Sequence, residues 1–216
     1  LPIRRHGAMI RRQTWGRRKT MSDTALPADD GTVGRLPPLT PDQMTEDQKR
    51  VAAGIAAGPR GGLRGPFPAM LRSPEVAERF QKLGEYLRFN SSIPAALNEL
   101  AILVTARVWS AQYEWYAHHL LAMKAGLPPA IAQAVAEGRR PDGMTEDQRI
   151  IHDFCAELHA TRFVSDATYA AVRDRFGEKG VIDLIAVSGY YVAVAMTLNV
   201  AQVPLPPGVP EPLAPL

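Results

Sequence analysis

Glu99, Glu114 and His118 are the residues of this chain whose types and spacing could do chemistry. Glu99 lies in Asn98-Glu99-Leu100-Ala101-Ile102-Leu103-Val104-Thr105-Ala106-Arg107, and the other two in Ala111-Gln112-Tyr113-Glu114-Trp115-Tyr116-Ala117-His118-His119. Both stretches read as helices, and both are otherwise apolar. Ionisable groups beside a core-forming run are costly to bury unless paired, so their presence there invites a functional reading. Glu114 and His118 stand four positions apart, which puts them on one helix face. A carboxylate beside an imidazole orients it, raises its basicity and can share its proton, which is what general acid–base chemistry requires. The structural alternative is that the two acids form ion pairs, with Arg107 for example, and that His118 is a satisfied core histidine.

Other side chains could serve the same site. Gly58-Pro59-Arg60-Gly61-Gly62-Leu63-Arg64-Gly65-Pro66-Phe67 reads as a loop, whose glycines let backbone approach a ligand and whose Arg60 and Arg64 could hold an acidic substrate. It is not a phosphate-binding loop, because no Gly-Lys-Ser/Thr follows. Tyr113 or Tyr116 could donate a hydrogen bond to a substrate oxyanion. His119 points about 100° from His118 on an ideal helix, so it belongs at the edge of a substrate pocket or at a subunit contact. His152, Cys155 and His159 share a face further along, but neither they nor Glu114, His118 and His119 match an established metal spacing, so no metal and no cofactor are expected.

These groups must be positioned by helices. Thr45-Glu46-Asp47-Gln48 is a capping box that opens a helix to about Ala57, and the phrase Met-Thr-Glu-Asp-Gln recurs at Met144–Gln148 as a second good helix start. Ser73-Pro74 begins a helix to about Phe89. Pro94 begins the helix carrying Glu99, on which Leu100, Leu103, Val104 and Val108 predict one buried stripe. Ala111 to Ala125 is the helix of Glu114 and His118, closed by Gly126. Pro128 to Glu137, Thr145 to Thr161, Asp166 to Phe176 and Gly180 to Asn199 supply four more. No run alternates as a strand does. The expected class is all-α.

The two central helices resemble the carboxymuconolactone decarboxylase family, within the superfamily that includes alkylhydroperoxidase D. The superfamily pattern is a glutamate on one helix, a Cys-x-x-Cys pair opening the next, and a histidine one turn on. Glu99 and His118 fall on the glutamate and histidine positions, while Ala111 and Glu114 stand where the cysteines would be. The resemblance runs loosely from about Leu39 to about Pro210, with Lys124-Ala125-Gly126-Leu127 closing the motif helix. It implies a compact multi-helix bundle, a homo-oligomer (trimer or hexamer) and a small-molecule substrate. A peroxidase of this superfamily needs a low-pKa thiolate and a resolving thiol, whereas this chain has one cysteine, Cys155.

The totals agree with one domain. The 216 residues suffice for a sizeable core, and 46% hydrophobic with 22% charged is ordinary globular composition. A single cysteine gives no disulfide framework, so a cytoplasmic setting is expected. The apolar run Val192–Val200 is interrupted by Thr197 and Asn199 and is too short to span a bilayer, so no membrane association is expected. The net charge of +3 hides an asymmetry. Residues 1–20 carry Arg4, Arg5, Arg11, Arg12, Arg17, Arg18 and Lys19 and no acid, leaving 18 basic and 22 acidic residues elsewhere. The body is mildly acidic, which argues against nucleic-acid binding by the folded domain. The arm itself is expected to be an unfolded extension with Met21 a natural start of the mature chain; a targeting peptide or a nucleic-acid-binding arm are the alternatives.

Three segments are therefore expected: a basic and then Pro/Gly-rich arm at 1–38, the helical domain at 39–203, and an extended proline-rich tail at 204–216 that drapes over a neighbouring subunit. The expected activity is decarboxylase-like, cofactor-free proton transfer on a small organic acid or lactone. Glu99, Glu114 and His118 would be catalytic, and Arg60, Arg64, Tyr113 and His119 would bind substrate. An alkylhydroperoxidase-like enzyme and a non-catalytic oligomeric binding protein of the same fold are the alternatives.

Overall fold

A computed structural model describes residues 34–215. The basic arm lies outside them. Eight helices follow in order: α1 (Glu46–Ala57), α2 (Phe67–Met70), α3 (Pro74–Phe89), α4 (Ala95–Val108), α5 (Gln112–Lys124), α6 (Pro129–Ala136), α7 (Glu146–Thr161) and α8 (Asp166–Ala201). No strand occurs among the described residues. The all-α expectation holds, and only the short α2, opened by Pro66 at the end of the arginine loop, was not read from sequence. The repeated Thr-Glu-Asp-Gln phrase has a local cause: Thr45 and Thr145 each accept a bond from the backbone N–H of the glutamine three residues on, and that glutamine side chain accepts from the threonine N–H.

Helix α4 is the axis of the molecule. Every residue from Leu97 to Arg107 is buried, and α5, α6, α7 and α8 all pack on it. A helix covered on all sides needs apolar residues all round rather than one stripe. Leu100, Leu103 and Val104 are indeed buried, but Val108, expected on the same stripe, is 48% exposed because α4 emerges from the core there. Full enclosure of α4 is also what carries Glu99 inside. A smaller cluster of Val51, Ala52, Ile55, Phe67, Leu71 and Ala77 joins α1, α2 and α3 beside the main core.

Helix α8 is two helical segments bent at Gly177, whose φ of 71° interrupts the helical backbone. The break matches the expected end of one helix at Phe176. By length and composition α8 could cross a membrane, but 56% of its most apolar stretch is buried in the protein, as in a core helix. Its buried side presents Tyr190, Tyr191, Val194 and Leu198 toward α5 and α3.

The tail departs from expectation. It is extended, yet it folds onto its own chain. Leu213 is 2% exposed in the core. Its N–H donates to Gln112 Oε1 (2.9 Å) and its carbonyl accepts from Gln112 Nε2 (2.8 Å). Arg107 Nη1 donates to the Ala214 carbonyl (2.9 Å). These bonds tie the tail to polar side chains at the α4–α5 junction of the same subunit.

Candidate active site

The tight connection between α4 and α5 sets the geometry of the cluster. Ser110 adopts a left-handed conformation (φ 46°) and the Ala111 N–H donates to the Ala106 carbonyl, so α5 turns back along α4. That turn brings Glu99 of α4 to His118 of α5. Nδ1 of His118 donates to Glu99 Oε2 at 2.8 Å, with both residues only 9% exposed. The bond orients the ring and leaves Nε2 as the nitrogen available to a substrate. The edge of the Tyr191 ring faces His118, with centroids 4.7 Å apart and planes at 83°. Burial pushes the Tyr191 phenol above its ordinary value, so it stays a neutral wall.

Glu114 sits one turn before His118 and is 1% exposed. Neither of its carboxyl oxygens has a hydrogen-bond partner. Burial pushes its carboxyl well above the usual carboxylate range, favouring the neutral acid. Glu99 accepts from the ring, while burial drives Glu114, one turn earlier on α5, toward its neutral form.

Glu114 and His118 line one cavity of about 100 Å³. Arg60, Arg64 and Tyr113 line it too, together with Arg88, Tyr190 and Tyr191. Glu99 lies behind His118 rather than in the wall. Of the expected site residues, the fold therefore gathers Glu99, Glu114, His118, Arg60, Arg64 and Tyr113 at one place. His119 is not among them. It stacks on Trp115 with centroids 6.2 Å apart, and it lines a separate hollow with Tyr116, Leu120 and Pro212. Its assignment to substrate binding in this cavity is corrected, for the reason that adjacent helical residues diverge by about 100°. Tyr116 goes with it, which leaves Tyr113 as the tyrosine of α5 at the cavity.

The ion-pair alternative for Arg107 is not what the fold builds, since its guanidinium serves the tail. The face of His152, Cys155 and His159 is dispersed among separate partners: His152 meets Asp153 (3.0 Å), Cys155 meets Ser188 (3.6 Å) and His159 meets Thr105 (3.0 Å). No cluster of three or more His, Cys, Asp or Glu residues suited to a metal occurs among the described residues. Burial pushes the Cys155 thiol up to about 12.

Sequence reasoning missed Arg88, Tyr190 and Tyr191 as cavity residues. They come from the last turn of α3 and from the middle of α8, and nothing local marks them. One signal was present in part, because Gly84 interrupts an otherwise good helix. A methyl group there would collide with the Tyr190 hydroxyl and the Arg60 guanidinium. Arg60 also packs over the Phe67 ring at 5.1 Å, and its Nη2 approaches the Tyr190 hydroxyl at 3.5 Å.

No protein-family model matches the sequence, and no curated protein matches it. Five chains of solved structures do match. One is the alkylhydroperoxidase AhpD core of an uncharacterized peroxidase-related protein from Ralstonia eutropha JMP134, with a TM-score of 0.67 over 82% of this chain and 94% of that chain. The two are 16% identical. The fold is thus that of an alkylhydroperoxidase AhpD core, and the likeness extends to the fold alone.

Proposed function

We propose that this protein is a carboxymuconolactone decarboxylase-like enzyme that moves protons without a cofactor on a small organic acid or lactone. The observation that supports this best is the joining of the Glu99–His118 bond with the unpartnered Glu114 acid at one cavity. Such a set brings an oriented imidazole and a carboxyl that burial drives toward its neutral form to one cavity, as proton transfer to and from carbon demands. Arg60 and Arg64 supply positive charge for the acid group of a substrate.

Decarboxylation of an unsaturated lactone acid then runs as follows. The bond from carbon to the departing carboxylate breaks, its electron pair enters the conjugated lactone, and carbon dioxide leaves. A proton from the Glu114 carboxyl or from the His118 imidazolium is delivered to carbon, and solvent restores it. Glu99 holds the His118 ring in register. We place the enzyme in the cytoplasm as a homo-oligomer (trimer or hexamer).

The thiol-peroxidase reading is weaker, although the structural relative is peroxidase-related. Ala111 and Glu114 occupy the positions of the cysteine pair. The thiol of Cys155 is fully buried and held protonated, so it is a poor nucleophile.

The test follows carboxymuconolactone loss and carbon dioxide release by wild type, His118→Ala and Glu99→Gln. Wild type is expected to turn over, His118→Ala to lose about 10²-fold or more in kcat, and Glu99→Gln to lose about 10-fold or more. Absence of turnover across related lactone acids removes the substrate assignment. Full activity in His118→Ala removes the mechanism. Thiol-dependent peroxide consumption is expected to be absent.

A further inference from the structure

Positive charge gathers around the cavity. Arg60, Arg64 and Arg88 line it, and none of them forms an ion pair among the described residues. The two carboxyl groups nearby do not neutralise them, because Glu99 is engaged by His118 and Glu114 favours its neutral form. The arginines differ in how firmly they are held. Arg64 sits on the loop, directly before Gly65 in a left-handed conformation (φ 61°). Arg60 is partly satisfied by the Phe67 ring and the Tyr190 hydroxyl.

Arg88 is the exception. It stands on the last turn of α3, a rigid sixteen-residue helix whose end is tied to α4 by the Asn98 Nδ2 bond to the Leu87 carbonyl (3.0 Å). Its guanidinium lies over the ring of Phe89 at 5.0 Å, and it makes no hydrogen bond to any described residue. Arg88 lines the same cavity as Tyr191 and His118. Five donors held on a helix in the wall of the cavity that His118 also lines, with no acceptor among the described residues, make a preformed place for a carboxylate.

We propose that Arg88 is a specificity-determining residue of this cavity, binding the acidic group of the substrate. The proposal rests on the acidic-substrate reading above, but it concerns recognition and can be tested without turnover. Anchoring by a helix residue rather than by the loop arginines fixes the substrate relative to His118 and Glu114, because α3, α5 and α8 share one packed core. A neutral ester or amide of the same skeleton cannot accept two parallel guanidinium bonds, so the site discriminates acid from ester by binding.

The experiment titrates the full-length protein calorimetrically with (5-oxo-2H-furan-2-yl)acetate, a lactone acid, and with its methyl ester. Wild type is expected to bind the acid at least about 10-fold more tightly than the ester, and Arg88→Gln to lose about 10- to 100-fold for the acid with no change for the ester. Arg88→Lys is expected to recover part of the loss, since one ammonium supplies charge but not the paired geometry. As a measurement on the unmutated protein, phenylglyoxal labelling of Arg88, read by peptide mass, is expected to be blocked by the acid and not by the ester. Equal acid affinity in wild type and Arg88→Gln, equal binding of acid and ester by wild type, or labelling indifferent to the acid overturns the proposal. Acid-selective binding lost in Arg88→Gln without carbon dioxide release from any lactone acid upholds it while removing the decarboxylase reading.

Discussion

Glu114 shows how one side chain can be defined by what surrounds it. A carboxyl with no partner for either oxygen and 1% exposure is stable only when neutral, so the fold selects its protonated form. Folded and unfolded chains then bind protons differently. Between the unfolded value near 4.5 and the raised folded value, the folded state holds the extra proton, and stability falls as pH rises through that window. Glutamine has the same shape and never ionises. Glu114→Gln is therefore expected to gain a few degrees in thermal midpoint over wild type as pH is raised from about 5 to about 8, with little difference below about pH 4.5. Its turnover is expected to fall about 10²-fold if the neutral carboxyl delivers the proton. Parallel melting curves across that range would remove the neutral-acid assignment.

At the scale of elements, the cavity depends on how α8 is clamped against α3. Asp183 of α8 is 4% exposed and accepts from the Ser92 N–H and hydroxyl (both 2.7 Å), from Tyr86 Oη (3.0 Å) and from Lys179 Nζ (2.8 Å). Ser92 lies in the α3–α4 turn and Tyr86 on α3, so one carboxylate pins three segments. Tyr190 and Tyr191 follow two turns later on the same helix, and the clamp thus sets their distance from Arg88. Burial acts to raise the Asp183 carboxyl, but the bonds from Lys179, Ser92 and Tyr86 outweigh it and bring it down to about 2. A lowered carboxylate adds stability above its unfolded value of 3.8 and loses it as pH falls toward 2. Asp183→Asn is expected to cost on the order of 2 kcal/mol at pH 7, a deficit that shrinks in chemical denaturation as pH drops through about 4 to 2. A deficit constant over that range would mean that the contribution is packing and not charge.

For the whole molecule, the tail is a structural strap. Leu213 fills the core beside the α4–α5 junction, and Gln112, the first residue of α5, bonds its backbone twice. Helix α5 has no side-chain cap at Ala111, and the strap instead holds the side chain of its first residue. Leu213→Ala is expected to destabilise by about 2–4 kcal/mol and to speed amide exchange in the first turn of α5, which precedes Glu114. Exchange there unchanged, with stability lowered, would confine the tail's role to filling the core.

How much of this was legible in the chain depends on the range of the interactions involved. The helices could be read because their determinants are local: capping boxes at Thr45 and Thr145, prolines at first turns, and apolar residues every three or four positions. The shared face of Glu114 and His118, and the exclusion of His119 from it, follow from helical pitch in the same way. The Glu99–His118 bond could be anticipated from the family resemblance but not from periodicity, which left an ion pair with Arg107 equally open. Arg88 and Tyr191 meet at the cavity from segments about a hundred positions apart, and the tail returns over a similar span to Arg107 and Gln112. Such meetings are decided by how whole faces pack, and no short-range pattern records them. The sequence by itself determined an all-α chain bearing an acid–imidazole pair. Tertiary packing then decided that a second acid would bond the ring, that a neighbouring one would be driven toward its neutral form, and that three arginines would line the same cavity with no ion pair among the described residues.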